Sequence, residues 1–133
     1  MSDLPTGTPA PTSTGMAPNV AAALSYLFPP FGGIVFFLIE KENRFVRFHA
    51  AQAIVVGVGL FAAWIAFYVV SAVLNIVPIL GALVSVLLWA ALAFGGFALW
   101  LLLTFRAYQG QEWEVPMAGE YARKLLASPA PHV

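Results

Sequence analysis

Residues 48–105, FHAAQAIVVGVGLFAAWIAFYVVSAVLNIVPILGALVSVLLWAALAFGGFALWLLLTF, contain no Asp, Glu, Lys or Arg over 58 consecutive positions. A helix needs ~20 apolar residues to cross a hydrocarbon core ~30 Å thick. One run of this length holds two spans and a turn. Asn75, Ile76, Val77 and Pro78 supply the turn, because Asn suits a chain reversal and Pro pre-sets the first turn of the next helix. The spans then cover about residues 49–74 and 79–105. Tilting, or burial of the helix ends among headgroups, absorbs their excess length.

Upstream, residues 20–39 form a third apolar stretch, interrupted by Pro29, Pro30, Gly32 and Gly33. Proline removes a backbone donor, and in lipid the freed carbonyl must find a partner in protein or water. Two forms satisfy this: a kinked span, which we favour, and a re-entrant hairpin. The fold expected is all-α, an integral membrane helical bundle with three membrane segments. Residues 40–47 connect the first two.

The ends differ from this core. Residues 1–19 alternate Pro with Thr, Ser and Gly and read as a disordered tail. Residues 107–127 read as interfacial through Tyr108, Trp113 and Tyr121. Residues 118–127 fit a short amphipathic helix with Tyr121, Leu125 and Leu126 towards lipid and Arg123 and Lys124 towards water. Residues 128–133 read as a frayed end.

Composition agrees with a bilayer as solvent. The chain is 61% apolar and 9% charged, against ~25% charged in soluble domains. It has no cysteine, which excludes a disulfide framework, a thiolate metal site and a thiol nucleophile. The N-terminus shows neither a signal peptide nor a lipidation motif, so the spans themselves are expected to direct insertion.

All six basic residues fall in two places. Lys41, Arg44 and Arg47 lie in the first connector; Arg106, Arg123 and Lys124 follow the last span. Two helices separate these groups, so they share one side. The positive-inside rule makes that side cytoplasmic and residues 75–78 extracytoplasmic. A kinked first span puts the tail outside; a hairpin puts it in the cytoplasm.

The densest polar cluster is Arg44, Arg47, His49 and Gln52, at the mouth of the second span. His49 and Gln52 share a helix face, and Phe45 lies one turn before His49. The cluster could serve as a proton relay, a headgroup site or a docking surface. The plainer reading, which we favour, is an interfacial cap, with Arg reaching phosphates and Gln bonding a neighbouring helix. The spans contain no acidic partner for a relay. Arg106 joins these four as a candidate interaction or headgroup residue. Gly57, Gly59, Gly81, Gly95 and Gly96 lack the spacing of a dimer motif and point to internal helix packing. Trp64, Trp89 and Trp100 read as packing or interface anchors. No catalytic, cofactor-binding, metal-binding or phosphate-loop constellation appears, and no nucleic-acid partner is indicated.

Residues 43–54, NRFVRFHAAQAI, residues 19–27, NVAAALSYL, and the pattern Gly110-x-x-Trp113-x-Val115-Pro116 resemble the Tic20-like family, which overlaps bacterial proteins labelled DUF4870. The resemblance covers about residues 19–127. It implies no enzymatic activity. Its plastid members imply a translocon role, and its magnetosome members a role in organelle membrane assembly. The expected function is a non-enzymatic structural or accessory component that associates with other membrane proteins or with itself. The alternative is a channel or translocon subunit. The expected location is a bacterial inner membrane.

Overall fold

The computed structural model describes residues 11–127. The expectations for residues 1–10 and 128–133 lie outside that range. Five helices follow one another: α1 Pro18–Leu24, α2 Phe31–Ile39, α3 Arg44–Leu74, α4 Pro78–Tyr108 and α5 Ala118–Ala127. No strand occurs among the described residues. Helices α3 and α4 are each long and apolar enough to cross a membrane. At 31 residues each, they extend about 46 Å, the full bilayer with its headgroups.

Local chemistry sets their ends. Asn43 caps α3, its side-chain oxygen accepting the Val46 N–H at 3.1 Å. Pro78 opens α4 at a position where its missing donor costs nothing. Helix α4 stops at Gly110, whose φ of +78° any residue with a Cβ would resist. There the Gly110 N–H reaches the Ala107 carbonyl, and the Gln111 N–H reaches the Arg106 carbonyl. This pair of bonds is the Schellman motif. It turns residues 111–115 back along α3.

The kinked first span is corrected. Helix α1 has 7 residues and α2 has 9, about 10 and 14 Å at 1.5 Å per residue. Neither crosses a membrane. The two form a hairpin, because its ends meet: the Ser13 N–H and hydroxyl donate to the Glu40 carboxylate at 2.9 and 3.0 Å. Within it, Ala21 of α1 and Phe36 of α2 share a core with Val46 and Ala50 of α3. The turn passes through Phe28, at φ +49°, and Pro29-Pro30. It lies against Gly57, where an added Cβ would stand 2.6 Å from the Pro30 nitrogen. That is thirteen residues into α3, about 20 Å from its start. In the described part of the tail, residues 12–16 form a turn in which Thr12 donates to the Met16 carbonyl.

The chain therefore has a head and two arms. The head joins the hairpin, the first half of α3, the last third of α4, residues 111–115 and α5. Ala22, Tyr26, Ala53, Val56, Leu103 and Ala107 form its centre. Helix α5 lies along α3, Ala122 and Leu126 packing on Phe48 and Ala51. Leu126 therefore faces protein and not lipid. The arms, the remaining lengths of α3 and α4, meet through Trp64 and Phe67 against Trp89, and Asn75 bonds Ser85 across the turn.

Candidate functional site

The polar side chains of the head converge on α3. His49 and Gln52 sit one turn apart on the face that receives the hairpin and residues 111–115. Both are fully buried, as is Tyr26 at the end of α1. The Tyr26 hydroxyl lies 2.8 Å from His49 Nδ1, and Gln52 Nε2 donates to the Tyr26 oxygen at 2.9 Å. His49 Nε2 lies 3.0 Å from the Gln111 carbonyl. Gln52 also donates to the Trp113 carbonyl at 3.0 Å and accepts the Val115 N–H at 2.8 Å.

One assignment of donors satisfies every group of this network. A carbonyl can only accept, so Nε2 of His49 carries its proton. The Tyr26 oxygen accepts from Gln52 and donates its own proton to the bare Nδ1. The Val115 N–H can only donate, which fixes the Gln52 amide orientation. With its proton on Nε2 alone, His49 leaves every polar atom of the network satisfied. The network joins the hairpin, α3 and the chain after α4. A proton on Nδ1 would displace the Tyr26 hydroxyl from its acceptor. The network ends on backbone groups and leads to no carboxylate.

A second buried group lies nearer the chain ends. Glu40 is fully buried, with no ion pair to its carboxylate among the described residues. Burial alone pushes its pKa up. Hydrogen bonds from the backbone N–H groups of Asn43, Ser13 and Glu42 and from the Ser13 hydroxyl outweigh burial and hold it below the ordinary carboxylate value. The carboxylate also sits before the first turn of α3, where unpaired N–H groups favour negative charge.

The remaining predicted site residues separate. Arg47 is half-buried; it donates to the carbonyls of Phe37 at 3.2 Å and Glu40 at 2.6 Å, with its guanidinium 4.5 Å from the Phe37 ring centroid. Arg44 is exposed. Arg106 donates to the Gln111 side chain at 2.5 Å, bracing the turn that presents Gln111 to His49. His49 and Gln52, expected in an interaction or headgroup site, have no exposed area. Sequence reasoning gave no site role to Tyr26, Glu40 or Ser13, and it read Trp100 as a packing or interface anchor. Trp100 Nε1 donates to the Tyr26 carbonyl at 2.7 Å, the kind of partner a broken helix in apolar surroundings requires. A phenol in an apolar stretch and an acid at its end were the available signals. Among the described residues no group of three His, Cys, Asp or Glu could hold a metal ion.

Comparison with known proteins places this architecture. Residues 12–122 match the model of the magnetosome magnetite crystal formation protein family. A UPF0132 membrane protein from Methanocaldococcus jannaschii is 36% identical over 113 residues, covering 85% of this chain and 92% of the relative. A second UPF0132 membrane protein, from Archaeoglobus fulgidus, is 37% identical over 111 residues, covering 84% and 97%. No solved structure matches. The chain belongs to the magnetosome magnetite crystal formation protein family and is a homologue of these archaeal membrane proteins. The Tic20-like and DUF4870 assignment is thereby corrected, since the segments that carried it fall within the family match. Neither family name states an enzymatic activity.

Proposed function

We propose that this member of the family is a non-enzymatic integral membrane protein that serves as a structural or accessory component, associating laterally with other membrane proteins. The observation that carries this reading is where the polar groups go. Tyr26, His49, Gln52, Glu40 and Trp100 are spent on one another and on the chain's own backbone. The outward surfaces of the arms are apolar, with Phe61, Leu83, Leu87 and Phe94 exposed. Such a molecule offers neighbours a rigid head and two lipid-tolerant faces.

The topology belongs to the same reading. The arms cross the bilayer and the hairpin enters from the head side as a re-entrant third segment. Lys41, Arg44, Arg47, Arg106, Arg123 and Lys124 all lie at the head end and residues 75–78 carry none, so the head is cytoplasmic. The hairpin brings the tail to that side too. The bacterial setting is not retained, because the relatives named above are archaeal.

Purification of the native protein in mild detergent, with identification of the proteins retained, tests the association. Recovery only as a free monomer from native membranes contradicts it. Single cysteines at Thr12, Asn75 and Ala127 test topology with an impermeant reagent on intact cells. Asn75 is expected to react, and the other two to be protected. A pH-dependent ion flux in proteoliposomes, abolished by His49→Gln, would replace the accessory reading with a conducting one.

A further inference from the structure

We propose that the chain is a wedge in one leaflet: the α1–α2 hairpin widens the head end alone, so the protein responds to bilayer curvature and accumulates where the head-side leaflet is convex. This inference rests on the membrane topology proposed above.

Residue pairs fix how far the hairpin reaches. Asn19 Nδ2 donates to the Tyr108 carbonyl at 3.0 Å, and Trp100 Nε1 donates to the Tyr26 carbonyl at 2.7 Å. Helix α1 therefore runs antiparallel to α4, from its last residue to the level of Trp100. On the other limb, Arg47 donates to the Phe37 and Glu40 carbonyls. A Cβ at Gly33 would stand 2.6 Å from the Ala50 carbonyl oxygen, and one at Gly57 would stand 2.6 Å from the Pro30 nitrogen. Helix α2 therefore runs antiparallel to α3, between the levels of Arg47 and Gly57. That stretch rises about 15 Å, half of a ~30 Å hydrocarbon core. Two residues further on, a Cβ at Gly59 would meet nothing within 4 Å.

The hairpin suits acyl chains. Residues 20–39 carry no charged side chain. Phe28 and Phe31, at the turn, are 76% and 69% exposed, and Val35 and Leu38 of α2 are exposed as well. Polar groups return at its mouth, where Ser13 meets Glu40. This outer face thus has the length and the apolarity of one leaflet. A helix with its side chains is ~10–12 Å wide, so the two limbs add roughly 200 Å² to the head-side leaflet. Helix α5 widens the same end, the Arg123 guanidinium lying 4.7 Å from the Phe48 ring centroid. The opposite leaflet holds the arms of α3 and α4 and no part of the hairpin. A bilayer accommodates unequal leaflet areas by curving with the larger one convex, and insertion into one leaflet is sensitive to curvature for this reason.

The test uses the full chain in giant vesicles of phosphatidylcholine and phosphatidylglycerol, from which narrow membrane tethers are pulled outward. An impermeant fluorescent maleimide on Ala127→Cys labels molecules with the head outside; on Asn75→Cys it labels those with the head inside. Head-outside molecules should be about twofold or more denser in the tether than in the parent vesicle, and head-inside molecules should be depleted. The triple variant Phe31→Ala, Val35→Ala, Leu38→Ala trims the exposed hairpin face and should lower the enrichment by about half. Trimming Leu83, Val86 and Leu87 of the arm to alanine should not lower it. Equal densities for the two orientations, or equal losses in the two triple variants, would overturn the proposal. So would a cysteine at Val35 that crosslinks to a second copy, since protein would then cover the hairpin face. The comparison of orientations needs no hairpin variant, so it stands even if trimming unfolds the head. Sorting depends on which leaflet holds the head, and not on the side of the cell it faces or the partners it retains. Failure here is therefore distinct from failure of the topology and association experiments above.

Discussion

Helix α3 buries nine residues between Val46 and Gly57 and one, Ser71, in the rest of its length. The same helix thus follows two rules. In the head, Ala50, Ala51 and Ala53 let the hairpin and α5 approach closely, and His49 and Gln52 satisfy groups on other segments. In the arm, Val58, Phe61, Ile65, Tyr68 and Val69 stay exposed. Lipid explains the contrast: an apolar side chain gains little by exchanging lipid for protein, so the arms need no core. The head contains a broken hairpin and an extended segment, whose backbone groups must be paired within the protein. Burial follows the backbone irregularity and not hydrophobicity.

The largest effect is therefore expected in the head, at Gln52. Gln52→Leu leaves the Trp113 carbonyl and the Val115 N–H buried without partners, each costing ~1–3 kcal/mol. We expect a loss of about 3 kcal/mol, read by unfolding in detergent, with earlier proteolysis at residues 109–117. A loss below ~1 kcal/mol would mean that packing, and not this network, holds the head.

Two glycines of α3 sharpen the boundary. At Gly57 an added Cβ meets the Pro30 backbone at 2.6–2.8 Å, whereas at Gly59 nothing lies within 4 Å. Gly57→Ala should cost ~1–3 kcal/mol by forcing the hairpin off α3. Gly59→Ala should be neutral or stabilise by up to ~1 kcal/mol through helix propensity. The same sign for both would erase the boundary between head and arm.

The two long helices were legible because residues 48–105 carry a period-independent signal, an unbroken apolar run. The turn at residues 75–78 was legible from Asn75 and Pro78. The hairpin was not: Pro29 and Pro30 announce a break, but a kink and a reversal share that signature, and the contact that separates them, Ser13 with Glu40, spans 27 positions. The site was half legible. His49 and Gln52 stood out as polar residues at a span mouth. Their partners did not, because the Gln111, Trp113 and Val115 groups that they bind are backbone, and every residue carries those. The spacing Gly110-x-x-Trp113-x-Val115-Pro116 can now be read physically at Gly110, whose positive φ ends α4 and starts the docked segment.

Glu40 tests the head at its outer edge. Its folded pKa is depressed, so its contribution is complete above the unfolded value of ~4.3 and is lost as pH falls through the lower folded value. Glu40→Gln should cost about 1–2 kcal/mol at pH 7, because hydrogen bonds to a charged acceptor weaken when the charge is removed. The gap between wild type and variant, measured by thermal unfolding from pH 7 down to pH 3, should close at the acid end. A gap independent of pH would show that shape, and not charge, closes the hairpin.

The smallest loss is expected at the far end of α3, where Asn75 offers the fairest comparison with Gln52. Both are side-chain amides bonded to more than one segment. Asn75 Nδ2 donates to the Ser71 carbonyl at 2.6 Å and to Ser85 Oγ at 3.2 Å. Yet Asn75 is exposed at a turn, where water or headgroups can take over each bond that a substitution removes. Asn75→Leu should thus cost only ~0.6 kcal/mol, the average for intramembrane hydrogen bonds, against about 3 for Gln52→Leu. The double variant should show the sum within ~0.5 kcal/mol, since no shared partner joins the two sites. An excess coupling would mean that the arms transmit strain to the head, and the two-rule description of α3 would fail.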